Sequence, residues 1–274
     1  MEHTLEMINL SRRYGVELAF DVIPHDWAHT LVMAILPRWA LEGGVDKVIE
    51  RLKDPTLREK MKQNRSPMWL LVADGLWSKI LLLNSRENAH LVGENFAELG
   101  RARGKDPYDI VFDLLLEEST GMHQLLWRSQ AFSQEDIDLC LEQDECAVIS
   151  DTLALAPYGN LEEQLGSLSG YGWTSEFLSR YVRERKVLSL PEAVRRLTSL
   201  PAERLGLRDR GQIREGLKAD LVVFDHDAIS STWTVEQPRN YPQGISYVTV
   251  NGQLTIDAGA RTENNGGVVL RAPL

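Results

Sequence analysis

Cys146-Ala147-Val148-Ile149-Ser150 (CAVIS) is a short apolar run, and Asp151 follows it directly. The residues from Ser133 to Asp136 begin a helix in front of this run, with Ser133 as the cap. Similar apolar runs at Val16 to Val22 and at Ile80 to Leu83 also stand beside helical patterns. Because helices that alternate with short apolar strands are typical of βα units, the sequence predicts an α/β fold with a parallel sheet. The continuous run ILLL is expected for a strand covered on both faces of such a sheet.

Helices are predicted where apolar residues recur at helical spacing between recognisable end residues. Asp106-Pro107 combines an aspartate N-cap with proline at the first helical position, and Ser189 to Glu192 forms a capping box. The predicted helical stretches are Thr4 to Tyr14, Val45 to Leu52, Pro55 to Asn64, Phe96 to Arg103, Pro107 to Leu115, Ser133 to Leu141, Leu190 to Leu197 and Leu200 to Leu205.

The carboxyl-terminal part of the chain has the pattern of β structure. Ala219 to Phe224 is predicted to be a strand, and Ile245 to Val250 and Gln253 to Ile256 are joined by Asn251-Gly252. Asn-Gly is the preferred dipeptide of a type I′ turn, so these two stretches are predicted to form a hairpin. Val268 to Arg271 is predicted to add one more strand.

The composition argues against several classes of protein. The chain has 274 residues, of which 43% are hydrophobic and 26% are charged, as in an ordinary globular protein. The formal net charge of -10 opposes binding to nucleic acid or to anionic lipid surfaces. No apolar run reaches the ~18 residues of a membrane span and the first residues do not resemble a signal peptide, so we expect a cytoplasmic location. The two cysteines, Cys140 and Cys146, are expected to be buried free thiols, because their spacing fits neither a zinc pair nor a disulfide framework.

Asp151 is the best-placed ionisable residue. The carboxyl ends of parallel strands are where α/β sheets and barrels place their active sites. A helix cap or a loop-forming role is the alternative reading of this aspartate. The six histidines include no H-x-H pair, and His25 and His29 lack the glutamate of an H-E-x-x-H helix, so we expect surface or packed histidines there. The sequence also contains no Walker loop, no G-x-G-x-x-G after a strand and no G-x-S-x-G elbow.

Two groups of motifs resemble a known family. The stretch from Leu188 to Leu207 (LSLPEAVRRLTSLPAERLGL), followed by Asp209-Arg210-Gly211 and by Ala219 to Asp225 (ADLVVFD), resembles the carboxyl-terminal part of the amidohydrolase superfamily. Further motifs are similar to the N-acyl-D-amino-acid deacylase (D-aminoacylase) branch of that superfamily. They are Phe20-Asp21-Val22 with Pro24, Leu36-Pro37-Arg38-Trp39 with Gly43-Gly44, Ser150-Asp151, Tyr181-Val182-Arg183-Glu184, Tyr241-Pro242-Gln243-Gly244-Ile245 and Val248-Thr249-Val250-Asn251-Gly252.

The resemblance implies an architecture. Members of this branch are similar in having a (β/α)8 metal-dependent-hydrolase barrel and a small β domain formed by both chain ends. By resemblance, residues 1–210 are the carboxyl-terminal part of such a barrel, with an inserted helical region at about 38–80. Residues 211–274 are the carboxyl half of the small β domain, and the chain corresponds to the last half to three fifths of a family member.

The resemblance also implies roles for single residues. Asp151 matches the aspartate of the eighth barrel strand, which in the family is the general base and can contact the metal. The zinc ligands of the family are an H-x-H pair, a cysteine or glutamate, and two further histidines, and they have no counterpart in this sequence. Asp151 is therefore the only family-matched metal candidate, and we expect this chain alone to hold no zinc tightly. Tyr171 and Trp173 are candidates for lining an acyl pocket, with packing in the core as the alternative.

Two motifs depart from the pattern of the family. Ile23-Pro24-His25 stands in place of a Tyr-Pro-Tyr strand end, and Ala156-Pro157-Tyr158 stands in place of the His-Pro-Arg that often follows the aspartate. The substrate contacts of the family that depend on these motifs are therefore not carried over to this chain.

Two functions are consistent with these observations. The first is zinc-dependent hydrolysis of the amide of an N-acyl-D-amino acid or a related small molecule, with the isolated chain inactive until a complementing N-terminal chain supplies metal ligands. The alternative is a non-catalytic protein that associates with itself, as a homo-oligomer, or with an upstream-encoded partner. Open sheet edges and apolar surface would mediate that association.

Overall fold

A computed structural model describes residues 1–66, 68–130, 132–153, 155–160 and 168–271. The chain divides into two compact units. The discontinuous unit is Met1–Pro24 together with Gln134–Leu274, and the inserted unit is His25–Ser133. The predicted division between residues 1–210 and 211–274 is based on the architecture of the family and not on compactness. It stays a prediction.

The helices begin and end close to the predicted positions. The α-helices are α1 (Glu2–Arg13), α2 (Arg38–Leu41), α3 (Val45–Lys53), α4 (Pro55–Gln63), α5 (Leu70–Ala73), α6 (Phe96–Arg103), α7 (Pro107–Glu118), α8 (Gln134–Leu141), α9 (Trp173–Phe177), α10 (Leu190–Leu197) and α11 (Ser199–Arg204). Short 3-10 segments are Val32–Ile35, Trp77–Lys79, Ala89–Leu91 and Ser119–Gln124, and Leu178–Glu184 is a π-helical segment. Among the described residues, every helix is too short or too polar to span a membrane.

Helix ends are fixed by the side chains that the sequence indicates. The Asp106 carboxylate accepts a hydrogen bond from the Tyr108 amide at 2.8 Å, at the start of α7. The Ser189 hydroxyl accepts one from the Glu192 amide at 3.4 Å, at the start of α10. Gly104 closes α6 in the left-handed conformation, with φ of 60°. The Asp106 cap and the Ser189 half of the capping box are confirmed, whereas the Glu192 carboxylate accepts hydrogen bonds from Arg195 and Arg196.

The strands form three separate sheets. The strands are β1 (Phe20–Val22), β2 (Ala28–Leu31), β3 (Ile80–Asn84), β4 (Leu126–Ser129), β5 (Cys146–Val148), β6 (Leu221–Phe224), β7 (Ile245–Val250), β8 (Gln253–Asp257) and β9 (Ala260–Arg261). Their orders are β1-β5, β2-β4-β3 and β6-β7-β8-β9. With these helices and strands the chain is a mixed α/β protein, as predicted.

The discontinuous unit is organised around one parallel pair. β1 and β5 run parallel, with Phe20 opposite Cys146 and Val22 opposite Val148. All three residues of β5 are buried. The buried side chains of the surrounding core are Ile137, Leu141, Val148, Phe177, Leu178, Tyr181, Val182, Ala193 and Ile229. The predicted parallel pairing is thus confirmed at CAVIS, the run that ends before Asp151.

The antiparallel sheet of the same unit contains the predicted hairpin. β7 and β8 pair antiparallel, and Asn251 and Gly252 between them have φ of 50° and 79°, as a type I′ turn requires. The predicted strand at Val268 to Arg271 is wrong, because these residues are irregular and Val269 is 84% exposed. β8 pairs instead with the two-residue β9. An apolar run forms a strand only where a neighbouring strand accepts its hydrogen bonds.

The inserted unit has its own core and sheet. β4 is the central strand, and both β2 and β3 pair with it antiparallel. The sequence predicts that Ile80 to Leu83 is a strand in a parallel sheet; the strand is confirmed as β3, but the parallel pairing is wrong. The two faces of β3 are largely buried and α6 contacts it. Burial on both faces gives a continuous apolar run in either strand direction, so the run indicates burial without fixing the direction.

Candidate functional site

Asp151 lies just beyond the carboxyl end of β5. The main-chain amide of Ile149 donates to the carbonyl of Val22 at 3.0 Å, so the contact between β1 and β5 continues one residue beyond the paired register. Asp151 itself is exposed and has φ of 45°, in the left-handed region. Few residues other than glycine adopt this region, aspartate and asparagine are the usual exceptions, and such positions cluster at functional sites. The strand pair therefore presents one exposed carboxylate at its carboxyl end.

The end of β1 is fixed by a buried tyrosine. Tyr181, in the π-helical segment, donates its hydroxyl hydrogen to the main-chain carbonyl of Pro24 at 3.2 Å. The Gln134 side-chain amide donates to the same hydroxyl oxygen at 3.1 Å. Burial raises the pKa of Tyr181, so this hydroxyl stays protonated and available as a donor. π-Helical turns often occur at functional sites, and this one holds the chain where the strand pair ends.

The two predicted pocket residues, Tyr171 and Trp173, have different surroundings in the structure. Trp173, the first residue of α9, packs against the core around Phe177, which matches the packing alternative. Tyr171 donates its hydroxyl hydrogen to the carbonyl of Leu155 at 2.5 Å, and its ring lies 5.1 Å from the ring of Tyr241. Burial, followed by the nearby Tyr241, raises the pKa of Tyr171. The proposed roles of Tyr171 and Trp173 in an acyl pocket stay predictions.

The sequence did not predict the contact between Arg261 and Tyr158. Arg261, in β9, donates from Nη1 to the hydroxyl oxygen of Tyr158 at 2.7 Å, and its guanidinium lies 5.7 Å from the centre of the Tyr158 ring. Tyr241 stands in a family-like motif, and Tyr158 stands in a motif that departs from the family. Arg261 belongs to no motif, and only the folded sheet brings it to Tyr158.

His25 and both cysteines are buried, whereas His3, His90 and His123 are exposed. His25 is 2% exposed and its ring stacks on Trp27 at 4.8 Å, while Trp27 and His29 are 5.7 Å apart between ring centres. This confirms the packed reading of His25. Cys140 and Cys146 are free and buried, as predicted, and burial raises the pKa of Cys146 to about 12. A thiol with such a pKa is a poor source of the thiolate that metals bind.

The described residues contain no ready-made group of metal ligands. Within them, no group of three or more His, Cys, Asp or Glu side chains is arranged to hold a metal. A catalytic zinc site takes about three protein ligands around an open position, and Asp151 alone supplies one carboxylate.

A cleft of about 540 Å³ opens in the inserted unit. Its lining includes Trp77, Ser78, Arg101 and Lys105 and none of the predicted site residues. Lys105 donates from Nζ to Asp113 at 2.5 Å and Arg101 to Glu98 at 3.3 Å, so its two cations already have acidic partners.

Comparison with known proteins relates this chain to one group of enzymes. Residues 95–256, more than half of the chain, match the family described as "Amidohydrolase family". An N-acyl-D-aspartate deacylase of Alcaligenes xylosoxydans xylosoxydans is 31% identical over 164 residues, which cover 59% of this chain and 31% of that protein. The D-aminoacylase of the same organism is 31% identical over 182 residues, which cover 66% of this chain and 34% of that protein.

A solved structure is similar in fold. It is the N-acyl-D-glutamate deacylase of Bordetella bronchiseptica, complexed with zinc and a phosphonate inhibitor that mimics the tetrahedral intermediate of the reaction. The match has a TM-score of 0.64 and 24% identity, and it covers 93% of this chain and 43% of that chain. The chain therefore spans about a third of the length of the two curated relatives and less than half of the solved structure.

Proposed function

Because this chain belongs to the amidohydrolase family, we propose that it provides the base-bearing part of a site that hydrolyses the amide bond of an N-acyl-D-amino acid. The observation that carries the proposal is Asp151, an exposed carboxylate at the carboxyl end of β5. The substrate class is supported by the curated relatives, which are named N-acyl-D-aspartate deacylase and D-aminoacylase.

Asp151 suits the task of a general base for three reasons. Its side chain carries two acceptor oxygens, it is reachable from solvent, and it stands where α/β folds place their reactive groups. Its left-handed backbone restricts which residues can replace it, since a β-branched or bulky residue is strained there. The proposed role is to accept a proton from the water that attacks the amide carbonyl.

We propose that the β1-β5 pair is part of a (β/α)8 barrel and that residues 211–274 form a small β domain. The parallel register of the pair supports the first part, and the antiparallel β6-β7-β8-β9 sheet supports the second. In this proposal residues 1–210 are the partial barrel, including the helical region at about 38–80.

The metal ligands are proposed to come from a second polypeptide segment. The relative from Bordetella bronchiseptica was solved with zinc, whereas the described residues of this chain include no group of three or more His, Cys, Asp or Glu side chains that could hold a metal. We therefore propose that this chain alone does not turn over substrate, and that a complementing chain carrying an H-x-H pair and further histidines restores activity.

Co-expression tests the proposal. This chain is produced alone and with the upstream barrel half of a D-aminoacylase, and release of the free D-amino acid from N-acetyl-D-amino acids is measured. We expect activity only in the co-expressed pair, and Asp151→Asn is expected to abolish it while the two chains still co-purify. Asp144→Asn, at another exposed aspartate of the same unit, is the matched control and is expected to keep the activity. Turnover by the isolated chain that survives Asp151→Asn would overturn the proposal.

The alternative function is self-association without catalysis, and one observation favours it. β6 lies at the end of its sheet, with a partner strand on one side only among the described residues, and Val222 and Val223 are 53% and 54% exposed. An exposed apolar edge strand is a template for pairing with another chain. Sedimentation of this chain, compared with a Val223→Lys variant, tests it: a dimer that the lysine dissociates supports the alternative, and a monomer removes it.

A further inference from the structure

Three tyrosines and one arginine meet in the discontinuous unit, in the part of the chain that follows Asp151. We call Tyr158, Tyr171, Tyr241 and Arg261 the tyrosine–arginine cluster. Tyr158 accepts a hydrogen bond from Arg261, and Tyr171 packs its ring against Tyr241. The hydroxyl of Tyr171 donates to the carbonyl of Leu155, which is three residues before Tyr158, so both pairs meet at the same loop.

The guanidinium of Arg261 has unused hydrogen-bond donors. An arginine has five N–H donors in a planar fork, and in the described residues the only hydrogen bond from this fork goes from Nη1 to Tyr158. No carboxylate of the described residues forms an ion pair with Arg261, although arginines elsewhere in the chain have such partners. Arg261 is exposed, and the Tyr158 ring lies alongside it. The fork is thus positioned on one side and open to a ligand on the other.

A second cation stands against the same loop. Arg239 donates from Nη1 to the carbonyl of Ala156 at 3.3 Å. Burial raises the pKa of Tyr171, and the nearby charge of Arg239 partly offsets this increase. Arg239 thus brings a second guanidinium to the loop that contains Ala156 and Tyr158.

The cluster is within reach of the candidate base. The carbonyl of Leu155 accepts the hydrogen bond from Tyr171 at 2.5 Å, and Leu155 is four residues beyond Asp151. Four residues span at most about 14 Å even when fully extended, so a small ligand at Tyr171 lies close to the Asp151 loop.

We propose that the tyrosine–arginine cluster binds the carboxylate of a small ligand, with Arg261 as the carboxylate fork and the faces of Tyr171 and Tyr241 against the adjacent acyl or side-chain group. The planar guanidinium matches the two oxygens of a carboxylate, and the tyrosine rings supply apolar faces with polar edges. The identification of this carboxylate with that of the amide substrate rests on the proposed function, whereas the binding itself does not.

Binding of a carboxylate probe by the 274-residue chain tests this inference without catalysis. The probe is N-benzoylglycine, and its neutral analogue N-benzoylglycinamide keeps the same aromatic acyl group. Calorimetric titration at low ionic strength is expected to show saturable binding of the acid and about tenfold weaker binding of the amide. The Arg261→Gln variant is expected to bind the acid about tenfold more weakly and to lose the preference for it over the amide.

Two further variants separate the cluster from general charge effects. Arg214→Gln removes an exposed arginine outside the cluster and is expected to leave the affinity within about twofold. Tyr171→Leu is expected to weaken both probes equally, because it removes ring contacts and no charge. Circular dichroism verifies that each variant is folded.

Defined results would overturn the inference. They are equal affinity for the acid and the amide, retained affinity in folded Arg261→Gln, and absence of saturable binding of the acid. If the acid binds as expected while the co-expressed pair stays inactive, the cluster stands and the proposed function fails. If the pair is active but Arg261→Gln changes neither binding nor the Michaelis constant, only the cluster assignment fails.

Discussion

The hydroxyl of Tyr181 donates to the main-chain carbonyl of Pro24 at 3.2 Å, so a π-helical side chain late in the sequence holds the point where β1 ends. The two residues belong to the two separate segments of the discontinuous unit. This bond positions the carboxyl end of the strand pair, next to which Asp151 lies.

Removing this hydroxyl should loosen the strand end. Tyr181→Phe loses the bond to Pro24 and the bond from Gln134, and it leaves a buried carbonyl and a half-buried amide with fewer partners. We expect the free energy of unfolding to fall by about 1–3 kcal/mol, as measured by urea denaturation. Tyr247→Phe is the control, because Tyr247 is 42% exposed. An equal effect of the two substitutions would contradict the positioning role of Tyr181.

The hairpin turn provides a test of backbone conformation alone. A Cβ atom added at Gly252 or at Gly267 meets nothing within 4 Å, but Gly252 has φ of +79° and Gly267 is outside the left-handed range. Gly252→Ala should therefore lower the free energy of unfolding by about 1 kcal/mol, and Gly267→Ala should leave it nearly unchanged. Thermal melting compares the two variants, and identical midpoints would count against the type I′ turn.

Acid should weaken α10 through Glu192. Hydrogen bonds from Arg195, and then from Arg196, lower the pKa of Glu192 to about 2 from an ordinary value of 4.5. Because the pKa is lower in the folded chain, the stabilisation is complete above about pH 5 and is lost as the pH falls toward 2; it is at most about 3 kcal/mol. Urea denaturation between pH 2 and pH 7 measures this loss.

Glu192→Gln should remove that part of the pH dependence. The variant is expected to be about 2 to 3 kcal/mol less stable at pH 7, because Arg196 is only 2% exposed and loses its carboxylate partner at 2.7 Å. Glu203→Gln, at an exposed glutamate in α11, serves as the control. A Glu192→Gln variant with the stability and acid profile of the unchanged chain would refute this account.

Zinc content is expected to be low. The isolated chain, dialysed against zinc and then against buffer, should retain less than one zinc per chain, since the described residues supply no group of three ligands. Inductively coupled plasma mass spectrometry gives the ratio, and Asp151→Asn should leave it unchanged. A ratio of about one would make His25 and His29 the first residues to substitute.

Local patterns predicted the helices and the turn because both are decided by neighbouring residues. Asp106 and Ser189 accept hydrogen bonds from amides two or three residues away, and Asn251 and Gly252 themselves adopt the positive φ of the turn, so these effects are visible in the sequence. The direction of β3 was not predictable in this way. Its apolar residues record that it is buried, whereas its direction depends on β4, which follows much later in the chain.

In the candidate site, too, the features set by neighbouring residues were predictable and those set by distant residues were not. Asp151 was found because it follows a recognisable strand. The contact between Arg261 and Tyr158 was not, because a two-residue strand brings the arginine there and neither residue lies in a periodic pattern. A side chain that functions through a long-range contact leaves no local pattern in the sequence.

The interruption of one compact unit by the other has a consequence for biosynthesis. β1 is synthesised before the inserted unit from His25 to Ser133, and its partner β5 is synthesised only after that whole unit. The inserted unit is continuous and has its own core, so it can fold before β5 is available to pair with β1. An inserted unit that folds slowly would prolong the exposure of Phe20 to Val22. Mutations that slow the folding of this unit should therefore increase the need for chaperones during synthesis, although the unit is remote from Asp151 in the sequence.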